Sequence, residues 1–281
     1  MTDIHTHTAA SRWAAALAEW AIPQEILDAA PEGSAWRFSP AVFAWTPERA
    51  AAEGPVVTAS RRRALEALAG GGAVLDVGAG GGRASLPLAP PAKVVTAVDS
   101  SEELLVAFVD AAVREGVPHR TVLGRWPDVS PQVKPHDVVV CHNVVYNVAD
   151  LPPFIRALSD RARRRVVVEL TVDHPASNLN AAWKGLHGLD RPTRPTAEDA
   201  IAVLLEMGLD VAWEESERQV MPASRDRADL VANARQRLCV GADRDPEIDR
   251  LLGPDLERPL RRIVTIWWAG EADGRRSADP G

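Results

Sequence analysis

The segment Asp76-Val77-Gly78-Ala79-Gly80-Gly81-Gly82 joins a carboxylate to a loop almost bare of side chains, and a second acid, Asp99, follows one strand later. Glycines at 78, 80 and 82 allow tight turning and close approach of backbone to a ligand. The run Ala73–Val77 before them is short and apolar, as is Val94–Val98, which ends in Asp99-Ser100-Ser101; both suit buried parallel strands. A glycine loop after one strand and an acid ending the next place a ligand beyond the carboxyl ends of the sheet, at the first crossover. A dinucleotide fingerprint would need a glycine where Arg83 stands, and no Gly-Lys-Ser/Thr sequence is present for a triphosphate loop. Asp76 would also repel a pyrophosphate, whereas it suits a ligand carrying an ammonium and a sulfonium. Asp99 can accept hydrogen bonds from both hydroxyls of a ribose. Dinucleotide sites use an acid there as well, so the pair of carboxylates discriminates where Asp99 alone does not.

A second group of reactive side chains lies in Cys141-His142-Asn143-Val144-Val145-Tyr146-Asn147, directly after the apolar run Asp137–Cys141. A neutral His142 has the chemistry of a general base, and the same residue can instead shape a pocket through hydrogen bonds. Tyr146, the one tyrosine of the chain, is a candidate for positioning a substrate atom or for closing the site. Cys141 reads as a small buried residue ending a strand. His174 and His187 could meet Glu169 or Asp173, yet their spacing matches no helical zinc motif, so no metal site is expected. His5 and His7 lie near the N-terminus and read as a disordered lead rather than a chelate.

With the three apolar runs and their loops, the chain resembles the class I S-adenosylmethionine-dependent methyltransferases. The resemblance is carried by Val74–Gly82, by Val94–Asp99, and by Asp137–Val148, within a region of roughly 60–215 plus the final strand. It implies a Rossmann-like, doubly wound, mostly parallel seven-stranded α/β sheet with an antiparallel strand near its C-terminal edge. It implies S-adenosyl-L-methionine as cofactor, with the methionine end held by Asp76, Gly78, Ala79, Gly80 and Gly82. The ribose would lie at Asp99 and Ser100, the adenine near Arg125 and Trp126, and His142 would contact the cofactor. One departure stands out. Relatives carry Gly-Asp-Ala or a similar acidic step after the third strand, where this chain has Gly124-Arg125-Trp126-Pro127-Asp128. Trp126 is placed either against adenine or as a rim residue on a neighbouring helix, with Asp128 as a substitute acceptor. The Asn-Pro-Pro-Tyr of exocyclic-amine methylation is replaced by His142-Asn143-Val144-Val145.

Positioning these residues requires strand–helix alternation, and the rest of the 281-residue chain supplies it. Helices are expected at Ser60–Ala69, after the glycine loop as far as Pro90-Pro91, at Glu102–Glu115, Leu151–Arg163, Ala197–Met207 and Arg225–Leu238. Further strands are expected at Thr121–Leu123, Val166–Leu170, Leu209–Trp213 and Ile263–Trp268. Residues 1–55 form a helical, aromatic-rich cap or lid containing Trp13, Trp20, Trp36, Phe38, Phe43 and Trp45. Residues 56–270 form the main domain, with an insertion around 173–196 and a helical segment around 224–256, and 271–281 a frayed tail. Arg161 and Arg163–Arg165 are expected to complement a helix end, and Arg61–Arg63 to be a solvated face.

Only three of the 32 basic residues are lysine, which devalues any single arginine cluster as a phosphate signal. The net charge of −7 disfavours nucleic acid and anionic membrane as partners, and points to a small-molecule methyl acceptor. RNA or protein acceptors, and a binding module without turnover, are the alternatives. Two cysteines, no charged-then-apolar leader and no apolar run of membrane-spanning length make a reducing cytoplasm the expected location.

Overall fold

A computed structural model describes residues 8–31, 57–219, 226–253 and 260–271. Trp36, Phe38, Phe43, Trp45, His5 and His7 lie outside them. Seven strands form one sheet, β1 (Gly72–Val77), β2 (Ala92–Asp99), β3 (His119–Leu123), β4 (His136–His142), β5 (Ala162–Thr171), β6 (Ala212–Gln219) and β7 (Leu260–Ala269). Their order is β3-β2-β1-β4-β5-β7-β6. The first five run parallel, and β7 is antiparallel to both β5 and β6. The expected Rossmann-like α/β architecture is present. The strand order reverses between β1 and β4, so a crevice opens at the carboxyl ends of those two strands.

The middles of the central strands bury both faces, which is why Val74-Leu75, Val138–Cys141 and Val166–Val168 are consecutive apolar residues rather than alternating ones. On one face α3 (Ala59–Ala67) and α4 (Glu102–Arg114) cover Val74, Val95, Val138 and Val140. On the other, α5 (Leu151–Arg161) and α7 (Ala197–Glu206) cover Leu75, Val139, Val166 and Ile266. The N-terminal α1 (Ala9–Ala18) joins this second layer through Trp13, which is fully buried and donates from Nε1 to the Val148 carbonyl at 2.7 Å. A third apolar cluster unites Trp183 of α6 (Asn180–His187) with Leu238 beside α8 (Arg227–Arg237) and Ile248 of α9 (Asp245–Leu252). The insertion and the helical segment therefore pack on each other. The short α2 (Gln24–Ala29) leans on the same cluster through Ile26 and Leu27.

Four expectations are corrected. No α-helix follows the glycine loop; only a 3-10 turn forms, at Leu86–Leu88. Pro87, Pro90 and Pro91 lack the amide protons a helix would need there. Of the arginine run only Arg161 ends a helix, because α5 stops there and Arg163–Arg165 already belong to β5. There Arg164 donates to the Ala67 carbonyl at 3.1 Å, and Arg165 to the Arg63 carbonyl at 2.9 Å and to Glu66 at 3.0 Å. They bind α3 to the sheet. Nor is Arg61–Arg63 simply solvated, since Arg62 and Arg63 share Glu214 and Arg63 lies over the Trp267 ring at 4.2 Å. The sixth strand starts at Ala212 rather than Leu209.

Candidate active site

A cleft lies at the carboxyl ends of the parallel strands. Its β1 side is the glycine loop. Gly78 has φ +70, and a Cβ there would stand 2.3 Å from Cγ2 of Val144, so the chain needs glycine both for the turn and for contact with the loop after β4. The Gly78 and Ala79 amides donate to the Val98 carbonyl at 2.8 and 3.1 Å, and the Gly80 amide donates to Oδ2 of Asp99 at 2.9 Å. Oδ1 of Asp99 accepts from the Ser101 amide at 2.9 Å, which also sets the start of α4. Asp99 thus ties the loop to β2 while its partly exposed carboxylate lines the cleft next to Ser100.

Asp76 is fully buried beneath the loop and has no surface in the cleft. Its Oδ2 accepts from the Ser85 hydroxyl at 2.6 Å, and its Oδ1 has no hydrogen-bond partner. Burial, with the nearby charge of Asp99 adding to it and the Ser85 hydrogen bond opposing, raises its pKa to about 7. A cationic group reaching this level would find an ionisable carboxyl with one oxygen unengaged.

After β3, Arg125 and Asp128 are exposed on the cleft wall, while Trp126 is buried and donates from Nε1 to the Phe154 carbonyl at 3.3 Å. Trp126 is therefore packed against α5 and still contributes surface to the cleft.

The loop after β4 carries His142, whose Nε2 is buried without a partner. Burial, reinforced by Arg218 and Arg83 and opposed by Glu169, holds its pKa below the ordinary value, so the imidazole is neutral at pH 7. Asn143 turns the chain with φ 60 and donates its amide to the Glu169 carbonyl at 2.7 Å. The Tyr146 hydroxyl donates toward the Thr171 and Val172 carbonyls at 2.8 and 3.1 Å, and its ring stacks on Trp13 at 5.6 Å. Burial, with Asp173 and Asp199 nearby, pushes its pKa well above that of a free phenol. Its hydroxyl proton is directed at these backbone carbonyls.

The residues missed by sequence reasoning lie on the β5–β6 side. His142 and Glu169 are register partners on β4 and β5. Glu169 is buried; it accepts from Ser60 at 2.5 Å and from Arg218 at 2.7 Å. Burial alone would raise its pKa, but His142, Arg218 and the two hydrogen bonds outweigh that and bring it down to about 2. The N-terminal end of α3, where Ser60 sits, also favours an anion. Ser60 and Arg218 stand 109 and 49 positions from Glu169 along the chain, and no local spacing announces them. His174 is stacked on Trp20 at 3.9 Å, and its Nδ1 accepts from the Ala176 amide at 3.2 Å. Nε2 of His187 lies 2.7 Å from the Leu238 carbonyl, and no metal-holding cluster occurs among the described residues.

Residues 74–165 match the model of a methyltransferase domain. They span β1 through the start of β5, and with them the loop, both carboxylates and His142. Over this part of its length the chain is similar to a methyltransferase domain. Its sheet is shared with solved structures at low identity. A structure described under the conversion of a disulfide bond into a thioacetal group during echinomycin biosynthesis is 16% identical, with a TM-score of 0.51, over 84% of this chain and 89% of that one. The YcgJ protein of Bacillus subtilis is 15% identical, with a TM-score of 0.50, over 75% and 97% respectively. These likenesses speak for the fold. No curated protein matches the sequence. Among the described residues no helix is long and apolar enough to cross a membrane.

Proposed function

We propose that this methyltransferase domain binds S-adenosylmethionine over Gly78–Gly80 and methylates a small-molecule acceptor seated between His142 and β6. The observation that carries the reading is the state of the loop amides. Those of Gly78, Ala79 and Gly80 are all engaged inside the protein, and no helix N-terminus follows them. A pyrophosphate laid on this loop would find these three amides already taken and no helix dipole behind them. A phosphate-free cation meets instead a carboxylate on the wall, Asp99, and an ionisable one beneath, Asp76.

In this arrangement Asp99 and Ser100 take the ribose hydroxyls, and the Arg125–Asp128 segment borders the adenine. The cofactor supplies an activated methyl on a sulfonium, so the protein's task is alignment and exclusion of water. In this reading His142, a neutral side chain that lines the cleft, serves as the proton acceptor. Tyr146 and Trp13 close the wall behind it. The arginines that suggested RNA or protein acceptors, Arg62–Arg63 and Arg164–Arg165, are engaged in holding α3 to the sheet, which favours the small-molecule reading.

Isothermal titration with S-adenosylmethionine, S-adenosylhomocysteine and NAD should show binding of the first two only. Asp99→Ala is expected to weaken S-adenosylhomocysteine about tenfold or more, as loss of hydrogen bonds to a charged group does. Tight NAD binding, or an unchanged affinity in the variant with its fold intact, would overturn the assignment.

A further inference from the structure

One wall of the cleft is built on α1 and the turn that ends it, which contribute Ala14, Leu17, Ala18, Trp20 and Ala21. Positions 14, 17, 18 and 21 recur at helical spacing and share one face. Ala14 and Leu17 are half-buried, and Ala18 and Ala21 are exposed. Four rings in series hold that face in place. Trp13 stacks on Tyr146 at 5.6 Å, Tyr146 meets His174 edge-on at 5.1 Å, and His174 stacks on Trp20 at 3.9 Å. The series starts on α1 and returns to the turn after it, while its middle members come from the loops after β4 and β5. Hydrogen bonds secure the same stretch: Nε1 of Trp13 donates to the Val148 carbonyl at 2.7 Å, Nε1 of Trp20 to the Arg194 carbonyl at 2.6 Å, and Arg191 to the Ala21 carbonyl at 3.0 Å.

Alanine and leucine side chains facing a cleft favour an apolar surface laid against them, because that contact releases the water between the two. The rings and their hydrogen bonds already order the helix, so little of the gain is lost to arranging the wall. Alanine at three of the four positions keeps the face shallow, and a shallow face suits a flat ring better than a branched chain. Ile263, paired in register with Thr171 at the carboxyl end of β5, adds an aliphatic side chain to the cleft. The charges that reach the cleft from β5, β6, β7 and α8 are answered within the protein. Arg218 is paired with Glu169 at 2.7 Å, the carboxylate of Asp173 acts on Arg261, and Arg237 is engaged as well. His142 and His174 are neutral at pH 7, because burial disfavours their cations. A charged acceptor would give up its hydration against groups that are already paired.

We propose that the acceptor is an uncharged, largely apolar molecule whose flat ring lies on the α1 face, against Leu17 and Ala18, with its polar group turned toward His142. The proposal rests on the methyltransferase reading above and adds the substrate class. The α1 face and the glycine loop line one cleft, so a molecule on α1 shares a cavity with the cofactor. Leu17 and Ala18 are then the residues that set specificity, through the apolar area and the shape they offer. Tyr146 and His174 act through α1, by holding its position.

The test uses the full chain at pH 7, with and without saturating S-adenosylhomocysteine. Three probes share one ring system and differ in charge: naphthol, naphthoate and naphthylmethylammonium, substituted at the same ring position. Each is titrated by ligand-observed NMR and calorimetry. Naphthol is expected to bind at least about tenfold more tightly than either ion, whether or not S-adenosylhomocysteine is bound. Leu17→Asn and Ala18→Glu should each weaken naphthol about fivefold or more, and Ala18→Glu should also favour the ammonium probe over naphthoate. Ala18 is exposed, so its variant keeps the fold, and S-adenosylhomocysteine affinity checks this in both. Equal or tighter binding of an ion, no binding of naphthol, displacement of naphthol by S-adenosylhomocysteine, or an unchanged naphthol affinity in either variant overturns the proposal. Failure of S-adenosylhomocysteine to bind the wild-type chain would instead reject the cofactor reading, and the probe series without it still judges the α1 wall.

Discussion

At the floor of the cleft Glu169 takes hydrogen bonds from Ser60 and Arg218 while shielded from water. Removing its charge strands a guanidinium whose Nε already lacks a partner. Glu169→Ala should therefore destabilise the chain by about 3–5 kcal/mol, the usual cost of breaking a buried pair, measured by urea denaturation at pH 7. Adding Arg218→Met should recover part of the loss, and a single-variant cost below about 1 kcal/mol would show that the pair is an ordinary surface contact. Asp76 behaves oppositely. Its pKa, raised to about 7, keeps much of the population protonated in neutral solution. If the carboxylate form answers the cofactor's positive charge, S-adenosylmethionine affinity should rise with pH through about 7 and binding should release a proton. Asp76→Asn should bind more weakly and lose this pH dependence; a flat profile in the wild-type chain would remove Asp76 from the cofactor site. The two carboxylates differ because one has cationic neighbours and the other has a hydroxyl and a second acid.

Among the elements, the glycine loop and the loop after β4 are mutually dependent. Gly78 has φ +70, and Val144 lies where its Cβ would be. Gly78→Ala should cost about 1–3 kcal/mol through strain and overpacking. Val144→Ala in the same chain should relieve the clash and leave the dihedral strain, so thermal unfolding is expected to recover in part only. Full recovery would mean that the positive φ is not needed, and no recovery would mean that Val144 is not the obstacle. The loop itself was legible in the sequence because its residues are contiguous and bracketed by two apolar runs. The missing helix after it was not, since Arg83–Leu86 can be read as a helix start, while the positive φ of Gly80 and Gly82 precedes it and Pro87, Pro90 and Pro91 forbid its continuation. The arginine run misled for a related reason. A strand beginning immediately at Ala162 leaves no turn residues between α5 and β5 to mark the boundary.

Across the whole molecule the buried titratable groups give stability a defined pH dependence. His174, at about 4 against an ordinary 6.5, binds fewer protons folded than unfolded, so its contribution grows as pH rises from about 4 to 6.5. Glu169, at about 2, adds stability that is lost as pH falls below its ordinary value of 4.5. Asp76 opposes both, because its contribution declines as pH rises from 3.8 to about 7. Between pH 4 and 6.5 the His174 and Asp76 contributions largely offset one another, so denaturant midpoints should change little there. His174→Asn should make the midpoints fall as pH rises through this window, and Asp76→Asn should make them rise. An unchanged slope in His174→Asn would show that the imidazole is not buried neutral against Trp20.

By itself the sequence determined the α/β alternation, the loop Asp76–Gly82, the acid at Asp99 and the position of His142, because each of these is written in neighbouring residues or in the period of one element. Only the tertiary structure decided what lies opposite them. Order β4-β5-β7-β6 brings Ser60, Glu169, Arg218 and Arg261 to one end of the cleft from four separate stretches of chain. It also draws the Tyr146 hydroxyl onto backbone carbonyls, leaving His142 as the neutral group facing the gap. Local propensity carries no information about partners a hundred residues away. Pairing across a sheet does, because the pleat puts every second side chain of each strand on the same face.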